Sequence, residues 1–373
     1  TRLNRLVKPD NSEWLTSYNG LAVSSTAPND KVQTEVKNSL GELVSVIDAD
    51  NKTAWYQYDA NGKSTELIDP SNNKIVVIYD KWGNKKRVTD PDAGVTNYSY
   101  NSFHELVSQS DANGNVITYT YDVLGRQKTM LRKKASGVIE HDVETLYDSG
   151  AYAVGKVSSV EDKKTGYKTS YYYDTFARVR QQSTRFDDGT VYNQHWAYDA
   201  YGRLQTETDA TGGGVLYNYN ANNWLASIDD KDLKDSAGNS RRHWQANAID
   251  AFGNVTQDKL GAYISRSHTF DTNTGLIKTI NASSAGQGAL QNWLYDWDNL
   301  GNLKLRHDYV SGNRETFTYD SLNRVKTSRV TSPLGNTNAD FNYNALGNIT
   351  SKTGVGNYYY ESSRPHAVTR VTG

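Results

Sequence analysis

The 373-residue sequence contains no cysteine. That excludes a disulfide framework and any thiolate metal site. It does not assign a compartment, although it suits a chain that must cross a membrane unfolded. Hydrophobic residues make up only 36% of the chain and mean hydropathy is -0.75, which is little for a large compact core. The longest apolar runs are as short as Ile-Val-Val-Ile at 75–78, so no stretch has the length of a membrane-spanning helix, and membrane insertion is not expected. Neither charge dominates. A net charge of -1 and a pI near 6.6 leave no basic footprint for nucleic acid. The sequence opens at Thr1 without an initiator Met or secretory leader, and we expect a piece of a longer protein or a processed product.

What is present argues against disorder. There are 27 Tyr and 8 Trp, whereas disordered chains are poor in aromatics. Tyr, Thr and Val with abundant Asn, Asp and Gly point to many short strands joined by tight turns. These residues recur as a unit. Tyr-Asp or Tyr-Asn followed by a turn appears as YDANGK (Tyr58, Asp59, Gly62), YDKWGN (Tyr79, Asp80, Gly83), YNSFHE (Tyr100) and YDVLGR (Tyr121, Asp122, Gly125, Arg126). It continues as YDSGAY (Tyr147), YDTFAR (Tyr173, Asp174), YDAYGR (Tyr198, Asp199, Gly202, Arg203) and YNANNW (Tyr219). Degenerate copies begin at Ile249, Phe270 and Trp297, before YDSLNR (Tyr319, Asp320) and YNALGN (Tyr343, Gly347). An earlier copy, VKNSLGEL at Val36, lacks the Tyr. The first three intervals from Tyr58 are each 21 residues, and later ones run from 21 to 30.

A second turn signal falls near the middle of each period, at Asp48, Asp69, Asp90, Asp111 and Asp209. Two turns in 21 residues leave two strands of ordinary length, and segments such as NVITYTYD (115–122) alternate as strands do. The period therefore reads as a β-hairpin, and the array as an all-β antiparallel meander of some 25 strands. A parallel β-helix also has periods of this size, but its inward columns of Val, Ile and Leu are thin here. A propeller needs about 40 residues per blade, and the irregular intervals spoil such pairing. Within each unit, Asp or Asn is placed to accept turn N–H groups, and Gly occupies an offset that calls for positive φ. The repeat Tyr is expected to stack beside its counterpart in the next hairpin. Arg126, Arg178, Arg203 and Arg324 are placed to lie over neighbouring rings.

The YDxxGR, YDxxGN and YNxLGN units resemble the YD repeat of the Rhs/YD-repeat family, which includes bacterial Rhs polymorphic toxins, Tc toxin C components and teneurins. The resemblance runs from about 36 to 360, and RPHAV (364–368) is similar to a segment of bacterial members. It implies a curved or spiral sheet forming a section of a hollow shell around a toxic or internal segment. It further implies secretion or a cell-surface location. The implied partners are the remaining segments of the same longer polypeptide, namely a toxin or cargo domain and shell caps. The Asp-Pro self-cleavage motif of the Rhs core is not found after Val368 because the sequence stops at Gly373; what is present resembles a section of shell wall, and a scaffold rather than catalysis is what the resemblance implies.

Other chemistry has no anchor in the sequence. The seven His (104, 141, 195, 243, 268, 307 and 366) show no pairing at i, i+2 or i, i+4, and no metal site is expected. DANGN (111–115) and DPDAG (90–94) resemble calcium-loop fragments but recur as turns and lack the bidentate Glu. Nucleotide-binding glycine motifs and the G-x-S-x-G nucleophile elbow are absent, so no cofactor is expected. A Tyr192–His195 pair acting on a uronic acid is the one enzymatic idea retained. The charge run of the insertion at 226–246 reads as a solvated loop, with a partner contact as the alternative, and the insertions at 133–142, 281–290 and 331–339 read as longer hairpin loops; no disordered linker divides residues 1–373, which read as one continuous array. Changes at His141 or Asp235, inside these insertions, are expected to be nearly neutral for stability. Trp55, Trp82, Trp196, Trp224, Trp244, Trp293 and Trp297 offer platforms for glycans. A non-enzymatic shell section is therefore the leading reading. A carbohydrate-binding or adhesive surface is the alternative, and a polysaccharide-degrading enzyme a remote one.

Overall fold

The structure, a computed structural model, describes residues 2–373. Its regular structure is β throughout: 33 strands, from Arg5–Val7 to Arg370–Thr372. Four of the strands beyond the 25 expected begin in the first 35 residues, which lack the repeat motif and also fold as hairpins. Glu13–Asn19 and Ala22–Thr26 pair across a two-residue turn, and Val32–Lys37 follows. By internal contacts the chain forms two compact units. One comprises Thr1–Tyr79, Arg87–Val95 and Arg266–Gly373, and the other Asp80–Lys86 and Thr96–Ser265.

Within each unit, consecutive strands pair antiparallel. In the first unit the ladder runs from Arg5–Val7 to Lys74–Tyr79 and again from Ile277–Ser284 to Arg370–Thr372. In the second it runs from Gly94–Tyr100 to Val255–Leu260. The two faces differ, as strand alternation requires. In Val116–Tyr121 the face carrying Ile117, Tyr119 and Tyr121 is half-buried, while Thr118 and Thr120 are exposed. Little is enclosed completely. Among the described hydrophobic side chains only Ala153, Tyr173 and Ala282 are buried, alongside small polar groups such as Ser45, Ser159 and Thr169.

Both turn classes are built alike. In the Tyr-Asp turn, Asp122 Oδ1 accepts the N–H groups of Leu124 and Arg126 at 2.9 and 3.0 Å. The backbone closes the same loop, Asp122 N–H to the Arg126 carbonyl and Gly125 N–H to the Asp122 carbonyl. Mid-period turns repeat it: Asp48 Oδ1 accepts from Asp50 and Lys52. Gly125 has φ +75°, in the left-handed region. The equivalent position is held in that region by His104, Ala177, Asn223 and Asn323 in other copies, so the turn survives where the Gly does not.

Two of the insertions form mostly strand rather than loop, whereas 133–142 and 331–339 keep loops at 134–138 and 332–336. Residues 226–246 lie mostly within Leu225–Lys234 and Ser240–Ile249, and 281–290 within Ile277–Ser284 and Gly288–Trp297. The extra residues lengthen a hairpin already paired at its base, so their backbone groups continue the ladder. Two positions expected to be neutral have partners. Asp235 Oδ1 caps the distal turn through Ala237 and Asn239, and His141 Nδ1 lies 2.8 Å from Asp162.

Gly125→Val should cost roughly 1–3 kcal/mol, because it places a β-branched residue at positive φ. Its Cβ would also stand 2.9 Å from Glu105 Oε1. Leu334→Ala, at a fully exposed tip, should stay within about 0.5 kcal/mol. Urea unfolding followed by circular dichroism checks the contrast, and equal midpoints for the two variants would contradict it.

Candidate functional site

The feature repeated most faithfully is a joint between successive hairpins. At each Tyr-Asp position the ladder slips by one residue. Thr120 pairs with Thr129 but Tyr121 with Gln127, leaving Lys128 extra, and the same slip occurs at Tyr58, Tyr100, Tyr173, Tyr198, Tyr219, Tyr319 and Tyr343. Such a bulge disrupts the ladder locally. The Tyr hydroxyl of the following hairpin donates to a carbonyl there. Tyr121 Oη reaches the carbonyl of Leu106, the residue paired with Tyr100, at 2.7 Å. Tyr58, Tyr79, Tyr173, Tyr198, Tyr219, Tyr319 and Tyr343 make the same bond to the residue opening the previous hairpin's return strand, at 2.6–2.9 Å. In a degenerate copy Trp297 substitutes its indole N–H, 2.7 Å from the Ile277 carbonyl.

Arginine completes the joint. Arg126, Arg178, Arg203 and Arg324 lie over Tyr147, Tyr198, Tyr219 and Tyr343, 4.2–4.6 Å from the ring centroids. Each also bonds through Nε to the Asp that opens its own turn. Among the described residues the repeat tyrosines do not stack on one another. Successive copies are two strands apart, about 10 Å, beyond ring-stacking range. The guanidinium takes that space. Burial, with Glu105 and Tyr119 nearby, pushes the Tyr121 hydroxyl pKa up, so it remains a donor.

Neither ring nor imidazole candidates converge on a catalytic geometry. Tyr192 and His195 sit three residues apart in Val191–Tyr198 and so point to opposite faces of the sheet. Tyr192 packs edge-on against Phe186 instead. Of the seven tryptophans proposed as platforms, only Trp55 and Trp82 are exposed. Trp244 donates to Asp258 at 2.6 Å, and Trp293 and Trp297 flank Tyr295 in a half-buried parallel stack. Among the described residues no group of three His, Asp or Glu side chains is placed to hold a metal ion.

A second arrangement left no mark in the sequence. Inside the first unit, Tyr-Asp turns near its C-terminal end meet mid-period turns near its N-terminal end. Ser321 Oγ donates to Asp50, 271 residues earlier, and Arg324 Nη2 lies 3.9 Å from the same carboxylate. His366, in the 364–368 segment, donates its N–H to Asp92 Oδ1 at 3.0 Å and places Nδ1 2.6 Å from Oδ2, across 274 residues. Leu300 and Gly301 share a small hollow with Lys8, Pro9 and Asp10. Leu300, Leu322 and Leu346, the apolar tips of these turns, are half-buried. Motif spacing reports neighbours along the sheet and carries no information about contacts at this range.

The turn carboxylates set a pH dependence. Burial pushes Asp122 up, but N–H groups of Arg126 and Leu124 and the Arg126 guanidinium together hold it below the ordinary range. At Asp271 the Thr274 N–H and the Lys278 ammonium lead, and the value falls to about 2. Native carboxylates of this kind bind fewer protons than unfolded ones, whose pKa is about 3.9. Their stabilisation is present above that value and is lost as pH falls toward about 2. The urea midpoint should therefore drop between pH 4 and pH 2, and Asp271→Asn should flatten that slope. A midpoint constant over this range would contradict the assignment.

With this geometry in view, comparisons with known proteins are specific. The RHS Repeat family matches at residues 79–116, 100–138 and 297–337. No curated protein matches the chain by sequence. Among solved structures, the TcdB2-TccC3-TEV crystal structure superposes with a TM-score of 0.84 at 17% identity, over 98% of this chain and 22% of that one. TcdB2-TccC3 without its hypervariable C-terminal region gives 0.85 at 16% identity, over 99% of this chain and 22% of that one. The Photorhabdus luminescens Tc holotoxin pore carrying a TccC3 mutation gives 0.83 at 16%, again over 99% and 22%. This chain thus spans about a fifth of the length of the chains it resembles. At such identities the likeness establishes the fold, and the repeat matches supply the sequence link. The repeat matches, over 79–138 and 297–337, and the shared fold together support an Rhs/YD-repeat relationship for this chain.

Proposed function

We propose that the chain is a non-enzymatic section of wall in a longer, secreted Rhs-like polypeptide, and that it encloses or shields another segment of that polypeptide. The observation that carries this reading is an array of 33 described strands, paired as successive hairpins within each unit, with almost no core of its own. Its stability comes from joints between neighbouring hairpins, so length can be added without thickness. A wall needs that property, and an enzyme pocket does not. The turn carboxylates and the arginines following them are consumed in holding turns and rings. The extracellular assignment rests on the resemblance to the Tc toxin structures and is part of the same proposal.

Protection from protease tests it. A cleavage site inserted outside residues 1–373, in the polypeptide as the cell makes it, should be cut at least about tenfold more slowly than in the free segment. Loosening the wall with Gly125→Val and Tyr121→Ala together should restore rapid cutting. Equal rates in the intact polypeptide and the free segment would sink the proposal. Oligosaccharide binding lost on Trp55→Ala and Trp82→Ala would favour an adhesive surface instead, and turnover of an acidic polysaccharide would favour an enzyme.

A further inference from the structure

Strand parity gives each hairpin two faces, and the face opposite the repeat Tyr is polar in much of the second unit. In Val116–Tyr121 and Gln127–Lys133 it carries Thr118, Thr120 and Thr129. From Val157–Asp162 to Val179–Arg185 it carries a paired row of Ser159, Ser170 and Ser183. The first unit departs from this between Val32–Lys37 and Lys74–Tyr79. There Val36, Ile47, Trp55, Ile68, Val76 and Ile78 occupy that face. Trp55 and Ile78 are 50% and 47% exposed, and the other four are half-buried. The charged side chains on the same face of these five strands, Glu66 and Lys74, pair with each other at 2.8 Å. Five strands, each giving the face about three residues, make a patch of about 20 by 14 Å, or about 300 Å².

We infer that this patch is a contact surface for a second copy of the chain, the two copies packing face to face about a two-fold axis. A contiguous apolar patch of this size marks a contact site. What the patch lacks selects the occupant. With Glu66 and Lys74 satisfied by each other, it offers nothing to a charged partner. On its own strand Trp55 is flanked on this face by Thr53 and Gln57 alone, too few polar groups for the several hydroxyls of a sugar ring. A pleated face of Val, Ile and Trp packs instead against another apolar sheet face, with about 10 Å between the sheets. A two-fold copy supplies such a face with matching width and no unpaired charge. Area then sets the strength. A standard interface takes about 800 Å² from each partner, so a patch well below that gives a reversible dimer rather than a permanent one.

Self-association goes beyond the wall reading, and either can fail without the other. Sedimentation velocity of this chain should show a monomer–dimer equilibrium between about 1 and 100 µM. Trp55→Lys and Ile78→Lys each put an unpaired charge into both halves of the contact. Either should raise the dimer dissociation constant at least about tenfold. Both positions are half-exposed, so the urea midpoint should stay that of the unsubstituted chain, which separates lost contact from lost fold. Tyr172→Lys, on the same face in the second unit and 44% exposed, should dimerise like the unsubstituted chain. The longer polypeptide should dimerise through the same residues. A chain that stays monomeric over this range would overturn the inference. So would a dimer that Trp55→Lys and Ile78→Lys leave intact, because another surface would then hold it. An oligosaccharide bound by the monomer and lost on Trp55→Lys would overturn it in favour of a sugar platform. A longer polypeptide that stays monomeric while its inserted protease site is shielded would overturn the dimer and leave the wall reading standing.

Discussion

A hydroxyl-to-carbonyl bond across neighbouring hairpins is the constraint on which this sheet depends. Every Tyr-Asp turn introduces a bulge, and a bulge disrupts ladder pairing at the point where a lone hairpin is weakest. Tyr121 answers it for the Leu106 carbonyl, and its counterparts do so along the array. A bond of this kind contributes about 1 kcal/mol net, and leaving the carbonyl unpaired costs about 1–3 kcal/mol. The interaction matters because it recurs and because it joins one hairpin to the next.

The arginine after the turn couples the same pair of hairpins by other means. Arg126 bonds Asp122 in its own turn, covers the Tyr147 ring and makes a bidentate pair with Asp148 of the next turn. One side chain thereby ties turn closure to hairpin stacking. Where Arg is missing, Asn takes part of the role: Asn84 bonds Asp80 and reaches His104 in the following turn. Stability built this way is close to a sum over nearest neighbours. That explains how so few side chains can be fully buried in so long a chain. The half-buried Tyr face is covered mainly by its own neighbours.

The contacts of the first unit belong to a different scale. Ser321 with Asp50 and His366 with Asp92 join residues more than 270 positions apart and use turn side chains that the local joints leave over. Asp92 is buried enough to be pushed up in pKa, yet the His366 N–H and ring hold it below its ordinary range. The joints make the sheet, and contacts of this second kind decide what each edge of it touches.

The 21-residue period, the two turns in it and the alternation of 115–122 determined the hairpin array, because each follows from interactions within one or two hairpins. The place of Arg126 over a ring was equally legible, since the position after the turn Gly can reach little else. The bulge was not, because a one-residue slip leaves no compositional trace. With it went the Tyr hydroxyl bond, which exists only once the bulge disrupts the ladder. Ring-on-ring stacking of the tyrosines was expected from their periodicity and failed on distance, two strands being too wide. The insertion at 226–246 looked like a solvated loop from its charge, but a hairpin already paired at its base continues its ladder outward whatever the composition. Whether Tyr192 and His195 meet, and whether Leu124 and Leu322 are open or covered, only the tertiary structure decided. Local sequence specifies what a turn is, whereas strand parity and the return of distant chain determine what it faces.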